Sequence, residues 1–165
     1  MNQNLPRWLH ASVADAMKAV AETADLPCLV EGIDDRTDAF MHAKERVEVR
    51  ITGPFVKHPS NGFYHIFVDV NVLLSSRTGE SKNAYDLLRK SGMFLSALDE
   101  PIGVWNYGNE PGDYVEDDPT TQVSIGCLTP RPGRSARLMN FGLINPVDQI
   151  SQHEVENNYE IELTE

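Results

Sequence analysis

The stretch Glu45-Arg-Val-Glu-Val-Arg-Ile-Thr52 decides the fold. Every second residue from Val47 to Ile51 is apolar and the residues between them are charged, which is the period of two typical of a strand with one buried face. A second alternating run extends from Phe63 to Leu74, and the segment between the two runs is rich in turn-forming residues. The sequence therefore predicts one long antiparallel hairpin over residues 45–74, with a tip that protrudes beyond the sheet.

Two segments with helical spacing flank this hairpin. Apolar residues recur every three or four positions from Leu5 to Ala24 and again from Ser81 to Leu98. Further strands are predicted at 28–33, 101–107, 121–128 and 153–163. This order predicts an α+β fold, in which a mostly antiparallel sheet has the two helices packed on one of its faces.

The residues predicted to form the core come from both helices and from the hairpin. They are Trp8, Leu9, Val13, Met17, Val49, Ile51, Ile66, Val68, Leu88 and Leu95. A chain of 165 residues, of which 41% are hydrophobic, is long enough to bury a substantial core, so residues 1–165 are predicted to form a single domain. Cys28 and Cys127 lie in apolar settings far apart in sequence, which favours two buried free thiols over a disulfide.

The chain is strongly acidic. Twenty-five acidic residues against 14 Lys and Arg give a formal net charge of −11. Such a chain is a poor candidate for a nucleic-acid binder, because neutralisation of phosphates by Lys and Arg dominates that affinity. A role in solubility alone would also account for the charge. No apolar run reaches the roughly 20 residues of a membrane span and no signal peptide is evident, so the expectation is synthesis in the cytoplasm without a membrane anchor.

The sequence carries none of the common motifs of catalysis and cofactor binding. It contains no glycine-rich nucleotide loop, no H-E-x-x-H and no G-x-S-x-G, and none of its five histidines lies within five residues of another. Acidic clusters at Asp34–Asp38 and within the loop 108–120 could hold calcium, although solvated carboxylates are the simpler interpretation. The prediction is a protein with no catalytic residue, no metal and no cofactor.

Two turns are predicted to contact other subunits. The hairpin tip qualifies because loop tips often make the contacts of an assembly. The basic turn 130–137 could pair its arginines with acids of another subunit, remain solvated or contact nucleic acid. The residues concerned are His58, Pro59 and Asn61 in the tip and Arg131, Arg134 and Arg137 in the basic turn.

The last predicted strand has an acidic face. Its apolar positions alternate with Glu154, Glu156, Glu160 and Glu162. A strand with this pattern is suited to line a water-filled surface, which could be the lumen of an assembly or an ordinary outer face.

The order of elements resembles the tail-terminator (tail-completion) proteins of tailed bacteriophages. The likeness is carried by the helix Leu5–Ala24, the strand Cys28–Ile33, the hairpin around Gly53–Gly62, the helix Asn83–Leu98 and the closing strand Val155–Leu163. It implies a structural virion protein that forms a ring, commonly of six copies. The ring would cap the tail tube, join it to the neck or connector proteins, and let DNA pass without specific binding. Because an acidic wall would repel DNA, part of the carboxylate row Glu154, Glu156, Glu160 and Glu162, or the loop Asp113–Asp118, is predicted to face the lumen of such a ring.

The alternative is a stand-alone α+β enzyme or ligand-binding domain. It would use the region Trp105–Asp118, where two aromatic residues precede the acidic loop. The two hypotheses differ in the predicted size of the particle, which is a ring in one case and a monomer with a deep pocket in the other.

Overall fold

The computed structural model describes residues 3–60, 62–77, 81–107, 123–145 and 150–164, without the side chains of residues 59–60, 81–84 and 145. In chain order the elements are α1 (Leu5–Thr23), β1 (Cys28–Val30), α2 (Asp38–His42), β2 (Glu45–Ser60), β3 (Phe63–Ser76), α3 (Ser81–Leu98), β4 (Ile102–Trp105), β5 (Ser124–Pro130), β6 (Arg137–Asn145) and β7 (Ile150–Thr164). The predicted α+β class is confirmed. The predicted helices and the hairpin are present, while α2 and β6 were not predicted.

The sheet is built around β3 and β7. Its strand order is β1-β2-β3-β7-β5-β4, and β6 pairs with β7 beside this path. β1 runs parallel to β2, whereas the other pairs are antiparallel. β7 pairs with β3 along almost its whole length, and its other side is shared between β6 at one end and β5 at the other. The strand with the acidic face is therefore internal to the sheet.

One face of the sheet, here called the covered face, is packed against α1 and α3. α1 lies over β2 and β4, and α3 lies over β3 and β7. Most strand residues of this face are fully buried, because every second side chain of each strand points towards the apolar stripes of the two helices. They include Val47, Val49, Ile66, Val68, Val70, Val72, Leu74, Val155, Tyr159 and Ile161.

The opposite face, here called the open face, carries the polar half of each alternation. It presents Glu48 and Arg50 from β2, His65, Phe67, Asp69, Asn71 and Leu73 from β3, and Glu154, Glu156, Asn158, Glu160 and Glu162 from β7. The short helix α2 lies at one corner of this face, where the guanidinium of Arg46 stands 5.7 Å from the ring centroid of Phe40.

Most of the predicted core is confirmed, and one residue is wrong. Six of the predicted residues are fully buried, and three others, Trp8, Ile51 and Leu95, are partly buried against the core. Leu88 is 40% exposed, because the buried stripe of α3 passes through Leu87, Ser91, Phe94 and Leu98. Successive helical residues differ by about 100° around the axis, and Leu88 falls on the solvent side of this stripe.

The two cysteines do not share one environment. Both are free, as predicted, but Cys127 is exposed on β5, so its predicted burial is wrong. Cys28 is half-buried, and burial raises the pKa of its thiol to about 11.

The hairpin end does not stand clear of the sheet. β7 accompanies β3 as far as the pair Phe63–Thr164, so the expected protrusion beyond the sheet is wrong on that side. The other side of the hairpin is different, because β1 pairs with β2 only over Val47–Val49. In the described chain no strand lies beside β2 from Arg50 to Ser60, and this edge is free.

Candidate assembly surface on the open face

The carboxylates of β7 are held by neighbouring strands of the same chain. Glu156 accepts a hydrogen bond from Arg137 of β6, and Glu154 accepts one from the side-chain amide of Asn71 on β3. Glu160 lies 3.1 Å from Nε2 of His65. Three of the four acids predicted to face a lumen therefore have lateral partners, while Glu162 is exposed.

The arginines of the basic turn lie against the same strand. Arg131 approaches Glu160 to 3.8 Å and stands over the ring of Phe67 at 4.7 Å. Arg137 pairs with Glu156, and Arg134 donates to the side-chain carbonyl of Asn158 at 3.1 Å. The arginines predicted to contact other subunits and the acids predicted to face a lumen thus contact each other within one chain. Contact with another subunit and placement at a lumen both stay predictions. Part of the charge of the arginines and of the acids is already neutralised by these contacts.

The residues of the hairpin tip that are predicted to contact other subunits are described in part. His58 is exposed, and its ring makes an edge-on contact with Tyr64 at a centroid distance of 4.9 Å. The side chain of Pro59, all of Asn61 and the acidic loop 108–120 lie outside the described residues. Lys57 is exposed, and its ammonium group lies 4.9 Å from the ring centroid of Phe67.

A depression of about 260 Å³ lies in the open face. It is lined by Glu31, Glu48, Val49, Arg50, Asn71, Leu73, Phe141, Gln152 and Glu154. Glu48 pairs with Arg36 and Arg46, each at 3.3 Å, so its charge is neutralised within the chain. The hydrogen bond from Arg50, 2.5 Å long, lowers the pKa of Glu31 and keeps that carboxylate ionised. Val49, Leu73 and Phe141 are the apolar residues of the lining.

The exposed apolar side chains of the sheet form two clusters. One is on the hairpin end, where Phe55 is 52% and Phe63 is 51% exposed. The other is on β6, where Phe141, Leu143 and Ile144 are each about half exposed. Phe141 lines the depression in the open face, whereas Leu143 is level with Ser151 and lies on the side of the covered face. Phe63 is level with Thr164 of β7, whereas Leu143 is level with Ser151. At the rise of a β-strand, these two levels are about 40 Å apart along β7.

The β6 cluster was missed from the sequence. Residues 138–144 read Leu-Met-Asn-Phe-Gly-Leu-Ile, a run without charge or proline between two predicted turns. That run is the signal that could have indicated a strand.

The buried polar groups have internal partners. Ser91 donates to the Leu87 carbonyl at 2.8 Å and therefore accepts from Nδ1 of His153 at 2.9 Å. Burial lowers the pKa of His153, which favours the neutral ring in this position. Lys90 is mostly buried and pairs with Glu45 at 2.5 Å and Asp86 at 3.2 Å. Desolvation opposes the charge of Lys90, but the two carboxylates outweigh it and the pKa of the lysine is raised. These groups hold α3 on the sheet and are closed to a substrate.

The other candidates for a site are limited. Within the described ranges, no three His, Cys, Asp or Glu side chains are grouped in a way that could hold a metal ion. Asp34, from one of the possible calcium clusters, binds Lys18 at 2.7 Å and accepts from the backbone N–H of Val30. None of the helices in the part that the structure describes is long and apolar enough to cross a membrane.

A second concave surface lies between α1 and β4. This groove of about 340 Å³ is lined by Met17, Val20, Ile102, Trp105 and Tyr107, with Asp15 and Glu100 among its polar residues. The indole of Trp8 donates to the Tyr107 carbonyl at 2.8 Å, and the Trp105 N–H donates to Ser12 at 3.0 Å. These bonds fix α1 against the strand that leads into the predicted aromatic and acidic region.

No protein-family model matches the sequence, and no curated protein is significantly similar to it.

Proposed function

We propose that this chain is a structural subunit of a homo-oligomeric ring in the virion of a tailed bacteriophage, of the tail-terminator or neck type. The ring would cap the tail tube and join it to the neck or connector proteins. The observation that carries the proposal is the placement of the two exposed apolar clusters at opposite ends of the sheet. Two different patches on one subunit allow a head-to-tail contact, which closes into a ring when the rotation allows and otherwise gives an open filament.

Two further observations support this role. The order of helix, hairpin, helix and acidic closing strand resembles the tail-terminator proteins. The net charge of −11 suits a protein that lets a polyanion pass without holding it. Glu162 is the best placed of the four acids to act on passing DNA, because it is exposed, whereas the other three have partners on neighbouring strands.

Oligomeric size tests the proposal. Mass photometry and negative-stain electron microscopy of the purified chain are expected to show closed rings, six copies being the size that the resemblance implies. The double variant Phe141→Asp/Leu143→Asp should lose the rings while keeping its far-UV circular dichroism, since both side chains are about half exposed in the single chain.

A matched control is available on α3. Tyr85 and Leu88 are also exposed apolar residues, at 76% and 40%, and both lie outside the two clusters. Tyr85→Asp/Leu88→Asp should leave the rings intact. A wild-type protein that remains monomeric at every concentration tested would show that the ring is wrong.

The groove between α1 and β4 supports a second candidate, a ligand-binding domain. Its volume falls in the lower range of small-molecule pockets, and the carboxylates of Asp15 and Glu100 beside Trp105 fit a cationic ligand with an apolar part. Quenching of tryptophan fluorescence in a screen of aromatic amines would reveal such a ligand, and Trp105→Leu should abolish the change. A monomeric protein that responds in this way would favour this candidate over the ring.

A further inference from the structure

We propose that His153 and Ser91 form an acid-sensitive contact that holds α3 on the sheet, and that uptake of a proton by the buried His153 ring releases α3. The contact lies inside a single chain, on the covered face. The inference therefore does not depend on the proposed ring, and a monomer would have the same property.

His153 is a polar residue within an apolar layer. Its side chain is 3% exposed, and Ser91, in the middle of the buried stripe of α3, is completely buried. On β7 the histidine is in register with Leu74 of β3 and Asn140 of β6. Nδ1 of the ring lies 2.9 Å from the Ser91 hydroxyl oxygen. This contact therefore joins the helix directly to a central strand of the sheet.

The hydrogen bonds require the neutral form of the ring. The single proton of the Ser91 hydroxyl is donated to the Leu87 carbonyl at 2.8 Å, so the hydroxyl oxygen accepts from Nδ1–H. In the part of the chain that the structure describes, Ser91 is the only hydrogen-bond partner of the ring. A proton added to Nε2 would place a charge and an N–H group without an acceptor in the interior, which opposes burial.

The charged groups nearest to the contact are paired with one another. α3 contributes Lys90 and Asp86, and β2 contributes Glu45. Nζ of Lys90 lies 2.5 Å from Glu45 and 3.2 Å from Asp86. The pKa of Lys90 is raised, so the lysine stays charged at neutral and mildly acidic pH. This group of three therefore does not change its charge in the range where histidine titrates.

The other neighbouring elements bring no charge to the ring. Residues 72–76 of β3 and 138–144 of β6 contain no ionisable side chain. On β7 itself, Glu154 points to the open face, where it accepts a hydrogen bond from Asn71. No carboxylate among the described residues compensates a charged ring, and burial lowers the pKa of His153.

The pH dependence follows from the direction of this change. When α3 is released, the ring reaches water and its pKa returns to about 6.5. The released state then binds a proton more readily than the packed state, so acid favours release. The stability that the contact provides is fully present above about pH 6.5 and is lost as the pH falls below that value. For one proton, the equilibrium constant for release rises by up to about tenfold for each pH unit below it.

Hydrogen–deuterium exchange of the full wild-type chain tests the proposal without a substitution. The protection of α3 amides is measured at about pH 7.5 and about pH 5.5 and corrected for the intrinsic exchange rate, with α1 as the internal reference. Between these values α3 should lose up to about tenfold in protection, while α1 keeps its protection. Unchanged protection of α3 would overturn the proposal. A loss of the same size in α1 would show general acid unfolding and would also overturn it.

Two variants separate the titration from the hydrogen bond. His153→Asn keeps an N–H donor close to the position of Nδ1 and has no group that titrates in this range, so the protection of its α3 should be equal at both pH values. Ser91→Ala removes the acceptor but retains the buried ring. Its α3 should be less protected at both pH values and should still lose protection in acid. A full acid response in His153→Asn would assign the titration to another group and overturn the proposal.

His58→Gln is the matched control. It removes an exposed histidine of β2, outside the contact with α3. The acid response of α3 should be that of the wild type. Loss of the response in His58→Gln would show that the histidine of the hairpin, and not the buried ring, controls the release of α3.

Discussion

The two faces of β7 make different kinds of contact, although their residues alternate along one strand. On the covered face, Val155 and Tyr159 are completely buried under α3. On the open face, Glu156 and Glu160 are partly exposed and are held sideways by side chains of β6 (Arg137), β3 (His65) and the turn after β5 (Arg131). The contacts on the covered face run between layers, whereas those on the open face run between neighbouring strands.

This difference shows where the stability of the fold lies. Burying an aliphatic or aromatic side chain contributes about 1.5–3 kcal/mol, whereas an exposed ion pair contributes about 0–1 kcal/mol. The covered face therefore provides most of the stability. Charged residues of the open face can be substituted with little loss of stability. A surface with that freedom is suited to contacts with other molecules.

Phe94→Ala should show the largest effect, on the covered side. Phe94 is fully buried on α3, so its truncation should lower the free energy of unfolding by about 3–5 kcal/mol. Urea denaturation followed by circular dichroism measures the loss. Leu88→Ala on the exposed side of the same helix should stay within about 0.5 kcal/mol of the wild type. Similar losses from the two variants would contradict the assignment of the buried stripe.

Gly53 lies in the part of β2 that has no neighbouring strand on its outer side, and it should not tolerate a larger residue. Its φ is +112°, and an added Cβ would lie 2.8 Å from the carbonyl oxygen of Phe67. Gly53→Ala should therefore cost about 1–3 kcal/mol in the free energy of unfolding. Gly62 also has a positive φ, but a Cβ there meets nothing within 4 Å. Gly62→Ala is thus a control for conformational strain alone. Equal losses in the free energy of unfolding from the two variants, measured by urea denaturation, would show that the contact with the Phe67 carbonyl adds nothing.

Tyr159→Phe should have a smaller effect, although its ring is buried. The hydroxyl group donates to the Leu98 carbonyl at the end of α3, and that oxygen also accepts from Asn157. Because the oxygen keeps one donor, loss of the hydroxyl should cost about 1 kcal/mol. In an Asn157→Ala background the same change should cost more, since the carbonyl would then lose both donors. Strict additivity in denaturant unfolding would show that the two bonds do not share one acceptor.

The pair Arg137–Glu156 should show the smallest effect. A double-mutant cycle with Arg137→Gln and Glu156→Gln is expected to give a coupling of about 0.2–1 kcal/mol, because the Arg137 side chain is 67% exposed. The coupling should fall further in 1 M salt, where charges are screened within about 3 Å. A coupling above 2 kcal/mol would show that the open face contributes to stability as the covered face does.

The sequence by itself determined the two long helices, the long strands and the burial of alternate residues along them. The period of two in β2, β3 and β7 placed each side chain on its correct face, because a strand turns successive side chains to opposite sides regardless of its neighbours. The helical spacing of α1 placed Leu9, Val13 and Met17 in the core. The α+β class followed from the order of these elements.

Tertiary structure alone decided what lies opposite each polar residue. The sequence shows that Glu156 is on the acidic face of its strand, but it contains no local signal that Arg137 of β6 would lie beside it, 19 positions away. Such pairing depends on register between strands, which is set by the packing of the whole sheet. Packing also decided that Phe94 and not Leu88 faces the sheet, because a wide apolar stripe on α3 allows two rotations of the helix. Only the arrangement of strands left β6 on a free edge, and that edge is the surface from which assembly is inferred.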